Sequence, residues 1–220
     1  MGTDIHFYVE ILKDDKWIDF DYMKNSRDED GKVDWKKLND DPFYVDRCYN
    51  LFSILADVRN GYGFAGCSTG EKFVPISQPR GLPLDLSDET NKKSDDWECD
   101  GHGHSWLMLH ELLDYDWLNQ KRYHYGIVNK FEYIEFIKNG KPFSWSGGVF
   151  GELTKIVSNE EMDEVIRNNN TDFEYFTEIE WETSYADCAH SFYSKTIPAL
   201  KELSKSENYD DVRIVFWFDD

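Results

Sequence analysis

Chemically versatile side chains concentrate in one segment, residues 99–106, which reads CDGHGHSW. It places two of the six histidines, a cysteine, an aspartate and a tryptophan beside two glycines. Imidazole, thiolate and carboxylate groups are metal ligands, whereas a glycine-rich backbone can also approach an anion or a nucleotide closely. The sequence therefore predicts a binding site here and leaves its ligand open.

Two short histidine motifs fit a metal-dependent reaction. Asp4-x-His6 and His102-x-His104 are similar to ligand pairs in zinc or two-metal hydrolases. No single ligand set stands out, because several other side chains could complete the shell: Cys99, Asp100, His110, His124, Cys188 and His190. A metal-dependent phosphodiesterase using Asp4, His6, His102 and His104 is therefore one hypothesis, and a divalent metal belongs to that hypothesis alone. No other cofactor is required.

Residues after this segment have the spacing of a helix that begins at Ser105. Serine is a typical N-cap residue, and the apolar residues that follow it are Trp106, Leu107, Met108, Leu109, Leu112 and Leu113. The free N–H groups and the dipole of a helix start favour an anion. The segment is therefore predicted to contact a phosphate or a similar group.

Isolated arginines and tryptophans extend the predicted site. Arg59 follows a predicted helix, and Arg80 lies in the proline-flanked turn 79–83 of an acidic chain. Guanidinium groups bind phosphate in a bidentate manner, although a local ion pair with one of the 44 acids is the alternative for each arginine. Tryptophans offer stacking surfaces for a base. The predicted ligand-binding residues are Arg59, Arg80, His102, His104, Ser105, Trp106, Trp145, Trp217 and His6.

Covalent catalysis has less support from the order of residues. Ser105 near His102 or His104, and Cys188 near His190, supply a nucleophile and a base. No nucleophile elbow surrounds either pair, and Ser105 is already assigned as a helix cap. We therefore assign no catalytic residue. Whether the protein is an enzyme stays open, and binding is favoured over catalysis.

The composition is that of a folded and strongly acidic protein. Lysine and arginine number 24 against 44 acids, a formal charge of −20, while 40% of residues are hydrophobic and 16% aromatic. Such a surface repels nucleic-acid backbones and anionic membranes. Direct binding to nucleic acid or to a membrane is therefore not expected. An acidic inhibitor, or a mimic of nucleic acid, is a further hypothesis.

The cysteines and the N-terminal residues indicate a cytoplasmic protein. Four cysteines lie far apart without CxxC spacing, and the start MGTD leads directly into a strand pattern rather than a signal peptide. No run approaches the roughly 20 apolar residues of a membrane span. Reduced thiols are therefore expected.

Hydrophobic periodicity predicts an α+β fold. Strands are predicted over 4–12, 17–20, 177–183 and 212–218, the last being nearly continuous apolar sequence that is typical of a strand buried on both faces. Helical spacing predicts helices over 46–58 with Asp46 as the N-cap, 129–139, 158–168 and 184–203, the last bent at Pro198. For 129–139, a strand followed by a turn at Asn139-Gly140 is the alternative.

These elements predict one domain over residues 1–220. Its mixed sheet includes the N-terminal strand and the buried C-terminal strand and is packed by several helices. Polar composition predicts an exposed acidic excursion over about 24–42 and a mobile loop over about 85–96.

Five segments give the chain a family resemblance: GTDIH at 2–6, LADVRNG at 55–61, PRGLP at 79–83, HSWL at 104–107 and VRIVFWFD at 212–219. The set resembles a family of uncharacterised bacteriophage and bacterial proteins over most of the chain. The resemblance implies a phage or prophage origin and brings no mechanism. Small phage proteins often counter host defence, in some cases by sequestering or cleaving nucleotide signals.

The leading functional prediction joins the site to this resemblance. The protein is expected to sequester a small nucleotide-derived signalling molecule in the host cytoplasm and so counter host defence. The alternatives are a metal-dependent phosphodiesterase that cleaves such a nucleotide and an acidic inhibitor or nucleic-acid mimic directed at a host defence enzyme. The partner hypotheses are a small nucleotide-like ligand, a homo-oligomer and a host defence protein.

Overall fold

The computed structural model describes residues 2–20, 43, 47–63, 66–68, 70 and 72–219. The predicted acidic excursion over 24–42 lies outside these residues. No helix within them has the length and the apolar composition that crossing a membrane requires. The elements are β1 (Asp4–Lys13), β2 (Lys16–Asp19), α1 (Tyr49–Ala56), α2 (Asp88–Asp95), β3 (His102–Met108), α3 (Leu109–Asp114), β4 (Lys121–Asn129), α4 (Lys130–Asn139), β5 (Thr154–Val157), α5 (Asn159–Arg167), β6 (Glu174–Ser184), α6 (Tyr185–Cys188), a π-helix (Phe192–Thr196), α7 (Ile197–Leu203) and β7 (Val212–Asp219).

The chain divides into two compact units. The first unit comprises Met1–Leu118 and Tyr185–Asp220, and the second comprises Asn119–Ser184. Each contains helices and a sheet, which confirms the predicted α+β class. The grouping of the whole chain as one domain stays a prediction.

The sheet of the first unit has the strand order β2-β1-β7-β3, with antiparallel neighbours throughout. The N-terminal and C-terminal strands are therefore partners, as predicted, and His6 lies directly opposite Trp217. Every residue of β7 from Val212 to Phe218 is buried. This confirms the central strand buried on both faces.

The two faces of this sheet differ in chemistry. On one face, Val9, Ile214 and Phe216 belong to a core that also includes apolar residues of α1, α6 and the π-helix. The other face carries His6, Glu10 and further polar or aromatic side chains of the same strands, since side chains alternate along a strand. Charge and aromatic rings therefore lie on the face away from the core.

A buried ion network lies on that second face. Arg213, which is 2% exposed, donates from Nε to Glu10 Oε2 at 2.8 Å and from Nη1 to Asp85 Oδ1 at 2.7 Å. The backbone N–H of Ser87 donates to the other Glu10 oxygen at 3.0 Å. Buried charges are tolerated only when paired and hydrogen-bonded. The network therefore joins β1 and β7 to the segment that leads into α2.

The predicted mobile loop over 85–96 is wrong as secondary structure, because α2 occupies most of it. The Ser87 side chain caps the helix by accepting from Thr90 N–H, and acids in the first turn with lysines in the last turn match the helix dipole. Thr90 and Lys93 then bond Asp19 of β2 at 3.1 and 3.0 Å. These polar contacts stabilise a helix whose sequence has no apolar stripe.

Two further helix predictions need correction. The predicted helix over 184–203 is divided into α6, a π-helix and α7, and His190 has a positive φ of 50° between the first two. Pro198 lies in the first turn of α7, where proline is favoured, rather than at a bend. The helix predicted over 46–58 exists as α1, but it begins after Cys48, and Asp46 lies outside the described residues.

The second unit has the strand order β4-β6-β5, with β4 antiparallel and β5 parallel to β6. Ile179 and Trp181 of β6 share its core with Tyr133 of α4 and Met162 of α5. Both helices were predicted, and so was the capping box that Ser158 and Glu161 form at the start of α5. The sequence did not reveal β4 or β5.

The ion network leads to a first prediction. Replacing Arg213 with methionine leaves Glu10 buried without its cation, and breaking such a pair costs about 3–5 kcal/mol of unfolding free energy. Urea denaturation followed by fluorescence measures the loss. Arg167→Met, which removes an exposed arginine of α5, is the control. Equal stability of the two variants would contradict the network's structural role.

A close contact in the second unit leads to another prediction. A Cβ atom at Gly126 would lie 2.6 to 2.9 Å from three atoms of the Trp145 side chain. We expect Gly126→Ala to lower the unfolding free energy by about 1–3 kcal/mol, as overpacking does. Gly147→Ala is the control, because a Cβ there meets nothing within 4 Å. Calorimetry measures the melting temperature of both variants. Equal melting temperatures would contradict the close contact between Gly126 and Trp145.

Candidate functional site

The predicted helix start at Ser105 is wrong, because Ser105 lies within strand β3. Ser105 and Leu107 are fully buried and pair with Phe216 and Ile214 of β7. The helix that follows, α3, begins only at Leu109 and has six residues. Pairing with the buried central strand outweighs the helical spacing of the same apolar residues. Ser105 therefore offers no helix start to an anion.

A β-bulge shapes the HGH motif. Gly103 has φ +62°, and the pairing of β3 with β7 shifts register between His102 and Ser105. A Cβ on Gly103 would lie 3.1 Å from the ring of Phe218 and 3.2 Å from Val58. Only glycine fits this conformation and this space without strain. The bulge leaves His102 exposed while His104 stacks on Trp217.

Three of the predicted ligand-binding residues meet on the second face of the sheet. His104 stacks on Trp217 with ring centroids 5.5 Å apart, and His6 lies 5.8 Å from Trp217 on the neighbouring strand. Tyr8 stacks on Trp217 at 4.8 Å, and Trp97 covers His6 at 3.8 Å. We call these five residues the histidine–tryptophan cluster. Trp97 and Tyr8 were not predicted as site residues, although aromatic residues near the motif were a usable signal.

The surroundings of His104 lower the pKa of its imidazole. Burial is the main cause that lowers its pKa, and the neighbouring His102 adds to the effect. Its Nε2 hydrogen-bonds with the Ser94 hydroxyl of α2 at 3.1 Å. The imidazole therefore ties α2 to the sheet and suits hydrogen bonding better than cation formation.

Two buried nitrogen atoms of the cluster have no hydrogen-bond partner among the described residues: Trp217 Nε1 and His6 Nε2. Asp219 Oδ2 lies 3.6 Å from His6 Nε2, beyond hydrogen-bond distance. A buried donor or acceptor without a partner costs about 1–3 kcal/mol. Two such atoms on facing residues of adjacent strands indicate a place for a polar ligand or solvent atom.

Two arginines meet at the start of β1. Arg59 donates from Nε to the Thr3 hydroxyl at 2.6 Å and lies 5.7 Å from the ring of Tyr49. Tyr49 in turn accepts a hydrogen bond from Thr3 N–H at 3.2 Å. Arg47 forms a bidentate ion pair with Asp4, and both side chains are about half exposed. We call Arg47, Arg59, Thr3, Asp4 and Tyr49 the arginine corner.

Arg47 is a residue that the sequence reasoning missed. It is an isolated cation in an acidic stretch, which is the same signal that selected Arg59. Its charge also acts on Asp219, and Asp219 in turn lies beside His6. The arginine corner and the histidine–tryptophan cluster therefore share one end of the sheet.

Arg80 takes the local ion pair that the sequence left as its alternative. Its guanidinium donates to both carboxylate oxygens of Glu111, at 2.6 and 2.9 Å, and to Trp106 O at 3.3 Å. The same group lies 5.2 Å from the Trp106 ring centre, and Arg80 N–H donates to Ser105 Oγ at 3.3 Å. Arg80, Ser105 and Trp106 thus come together as a structural group that fixes the turn over 79–83 to β3.

The remaining predicted residues lie elsewhere. Trp145 belongs to the second unit, where it packs edge-on against Trp181 at 5.1 Å. Of the proposed metal ligands, Asp4 binds Arg47, while His6 and His104 contact tryptophans. Among the residues that the structure describes, no three histidine, cysteine or acidic side chains form a metal-binding group. The metal hypothesis stays a prediction.

An open cleft of about 700 Å³ lies in the first unit between α3, α7 and the loop before β7. Tyr209, held at φ +54°, forms part of its wall and lies 5.2 Å from Lys201 Nζ. Asp114, Glu207 and Asp210 line it against that single lysine and His110. This excess of carboxylates disfavours a phosphate there.

The state of His104 predicts a pH dependence of stability. Because its pKa is lowered on folding, the unfolded chain binds a proton more readily, so stability falls as pH drops through the unfolded value near 6.5. We expect His104→Phe to lose less stability than the wild type between pH 7.5 and pH 5.0. Urea titrations at both pH values measure this. His102→Phe, on the same strand, is the control, and parallel behaviour of wild type and His104→Phe would contradict the assignment.

No similarity to a known protein adds to the evidence from the site geometry. Comparison with known protein-family models, curated proteins and solved structures finds no match to this chain. A functional conclusion must therefore come from the contacts of its own residues.

Proposed function

We propose that the first unit binds a small nucleotide-derived molecule where the arginine corner adjoins the histidine–tryptophan cluster. The observation that carries the proposal is the meeting of Arg47 and Arg59 at the end of the sheet where His6 and Trp217 have unpartnered nitrogen atoms. In a chain of charge −20, two guanidinium groups in one place are a local exception. Positive charge beside planar rings suits a phosphorylated ring compound.

The phosphate would compete with weak protein contacts at the arginine corner. Asp4 and Arg47 are 49% and 48% exposed, and ion pairs at such solvent-screened positions contribute little to stability. A phosphate group carries more charge than one carboxylate and accepts bidentate hydrogen bonds from arginine. Arg80 is not part of this proposal, because Glu111 occupies both arms of its guanidinium.

The ring contacts would come from the half-buried members of the cluster. His6 and Trp97 are partly exposed, whereas Trp217 is fully buried and stacks on the ring of His6. Trp217 therefore does not serve as the stacking surface that its sequence position suggested. Its orphaned N–H and His6 Nε2 are the groups that a polar ligand atom would satisfy.

The proposed role is sequestration of the ligand rather than its cleavage. The Nε2 atom of His104 is engaged by the Ser94 hydroxyl and is not available for acid–base chemistry. The resemblance to bacteriophage proteins adds the biological part of the proposal, in which the ligand is a defence signal held in the host cytoplasm.

Binding of defined nucleotides tests the proposal. Calorimetry at low salt against cyclic dinucleotides and ADP-ribose should find at least one ligand for the wild type. Arg59→Gln removes one charged donor, worth about 1.5–3 kcal/mol, and should weaken that ligand roughly tenfold or more. Arg167→Gln removes an arginine from the second unit and should leave the affinity unchanged.

Two outcomes would overturn the proposal. One is the absence of binding to every member of the panel, and the other is an equal effect of Arg59→Gln and Arg167→Gln. Chromatography of the ligand after incubation separates sequestration from cleavage. A released product would favour the phosphodiesterase alternative.

A further inference from the structure

We propose that the outward face of the second unit's sheet binds a protein surface rich in arginine and lysine. This face consists of Tyr123 and Tyr125 of β4 with Glu178, Glu180 and Glu182 of β6, and we call it the acidic tyrosine face. It lies in a different unit from the nucleotide site proposed above and is independent of it.

Strand register places these side chains together. Tyr123 pairs with Glu182 and Tyr125 with Glu180, and directly opposed residues of an antiparallel pair lie on one face. The alternate residues of β6, Ile179 and Trp181, are 2% and 6% exposed in the core. The tyrosines are 62% and 54% exposed and the three glutamates are also exposed. This side of the sheet therefore faces solvent.

Exposed apolar surface is concentrated in the same unit. Among the described residues, eleven of the sixteen exposed large hydrophobic side chains belong to the second unit, which is less than a third of the chain. Two of these eleven, Tyr123 and Tyr125, lie side by side on the acidic tyrosine face, and neighbouring exposed apolar groups mark interaction surfaces more than single ones do. Tyrosine in particular is enriched where proteins bind proteins.

The charge of the face identifies the kind of partner. Glutamates at every second position of a strand stand roughly 6.6–6.8 Å apart, beside a row of tyrosines about 5 Å away. Carboxylates accept bidentate hydrogen bonds from arginine, and tyrosine rings attract the same cations. Lys121, at the end of β4, is the basic residue on this side of that strand. Phosphate backbones would be repelled, which favours a basic protein over nucleic acid.

One side-chain contact already orders the face. The hydroxyl of Tyr125 hydrogen-bonds Glu178, and this bond is the main cause that raises the pKa of Tyr125. The tyrosine therefore stays protonated and keeps its ring beside the glutamates. A surface that is ordered before binding loses less entropy when a partner arrives.

A model peptide tests the charge pattern directly. The probe is a ten-residue peptide that alternates arginine and serine, so its cations repeat at the spacing of the glutamates. Titration into isotopically labelled full-length protein should shift the NMR signals of residues 123–125 and 178–182. Binding should weaken as salt is added, since the contact is between exposed charges.

Matched variants distinguish peptide binding at this face from binding to acidic surface elsewhere in the unit. Glu178→Gln, Glu180→Gln and Glu182→Gln together should weaken the peptide at least tenfold. Glu152→Gln, Glu160→Gln and Glu164→Gln remove the same charge from exposed positions elsewhere in the unit and should change the affinity less than twofold. Tyr123→Ser with Tyr125→Ser should weaken binding severalfold while leaving the amide spectrum of the core intact.

Several results would overturn the proposal. They are no binding of the arginine peptide, equal binding of a peptide with glutamate in place of arginine, or equal effects of the two triple variants. Concentration-dependent self-association that the tyrosine variant abolishes would assign the face to a second copy of the chain instead. Nucleotide binding by the first triple variant should remain at the wild-type level, so failure here is distinguishable from failure of the proposed nucleotide site.

Discussion

The buried pair of Arg213 and Glu10 is the constraint on which the first unit's second face depends. Both charges lie where water cannot solvate them, so each must be satisfied by the protein. Asp85 and the backbone of Ser87 complete the set, and this fixes where the chain crosses the sheet before α2. Once α2 is fixed, Ser94 meets His104 and Trp97 covers His6. The candidate site is therefore a consequence of a charge pair several residues away from it.

The sequence predicted those elements whose residues follow a simple local pattern. Apolar residues occupy every second position of β1 from Ile5 to Ile11, β7 is nearly continuous apolar sequence, and α5 carries its own capping box. Prediction from sequence failed where pairing with another strand decides between the helical and the strand periodicity of the same apolar residues. Trp106 and Leu107 fit a helix and a strand equally well, and pairing with the buried strand β7 settles the outcome. Helix α2 escaped notice for the opposite reason, since polar contacts with Asp19 and Glu10 replace an apolar stripe.

The candidate site was predicted in part for the same physical reasons. His6, His104 and Trp217 converge because register and the Gly103 bulge bring them together, and neither can be read from composition. Arg80 illustrates the limit of reading isolated cations, because Glu111 lies 31 positions away in the sequence. Arg59 donates to the Thr3 hydroxyl, and Arg47 pairs with the half-exposed carboxylate of Asp4. The partners of each arginine are decided by its neighbours in space.

The place of β7 in the sheet has a consequence for the order in which the protein acquires structure. Its partners β1 and β3 are made long before it, and the whole of the second unit is translated in between. The second unit is contiguous in sequence, so all of its strand pairs involve residues already outside the ribosome by then. The first unit must hold its earlier strands unpaired at their inner edges until residues 212–219 emerge, which exposes them to wrong partners for that interval. A late central strand thus makes the first unit the slower and more aggregation-prone part of the molecule during synthesis.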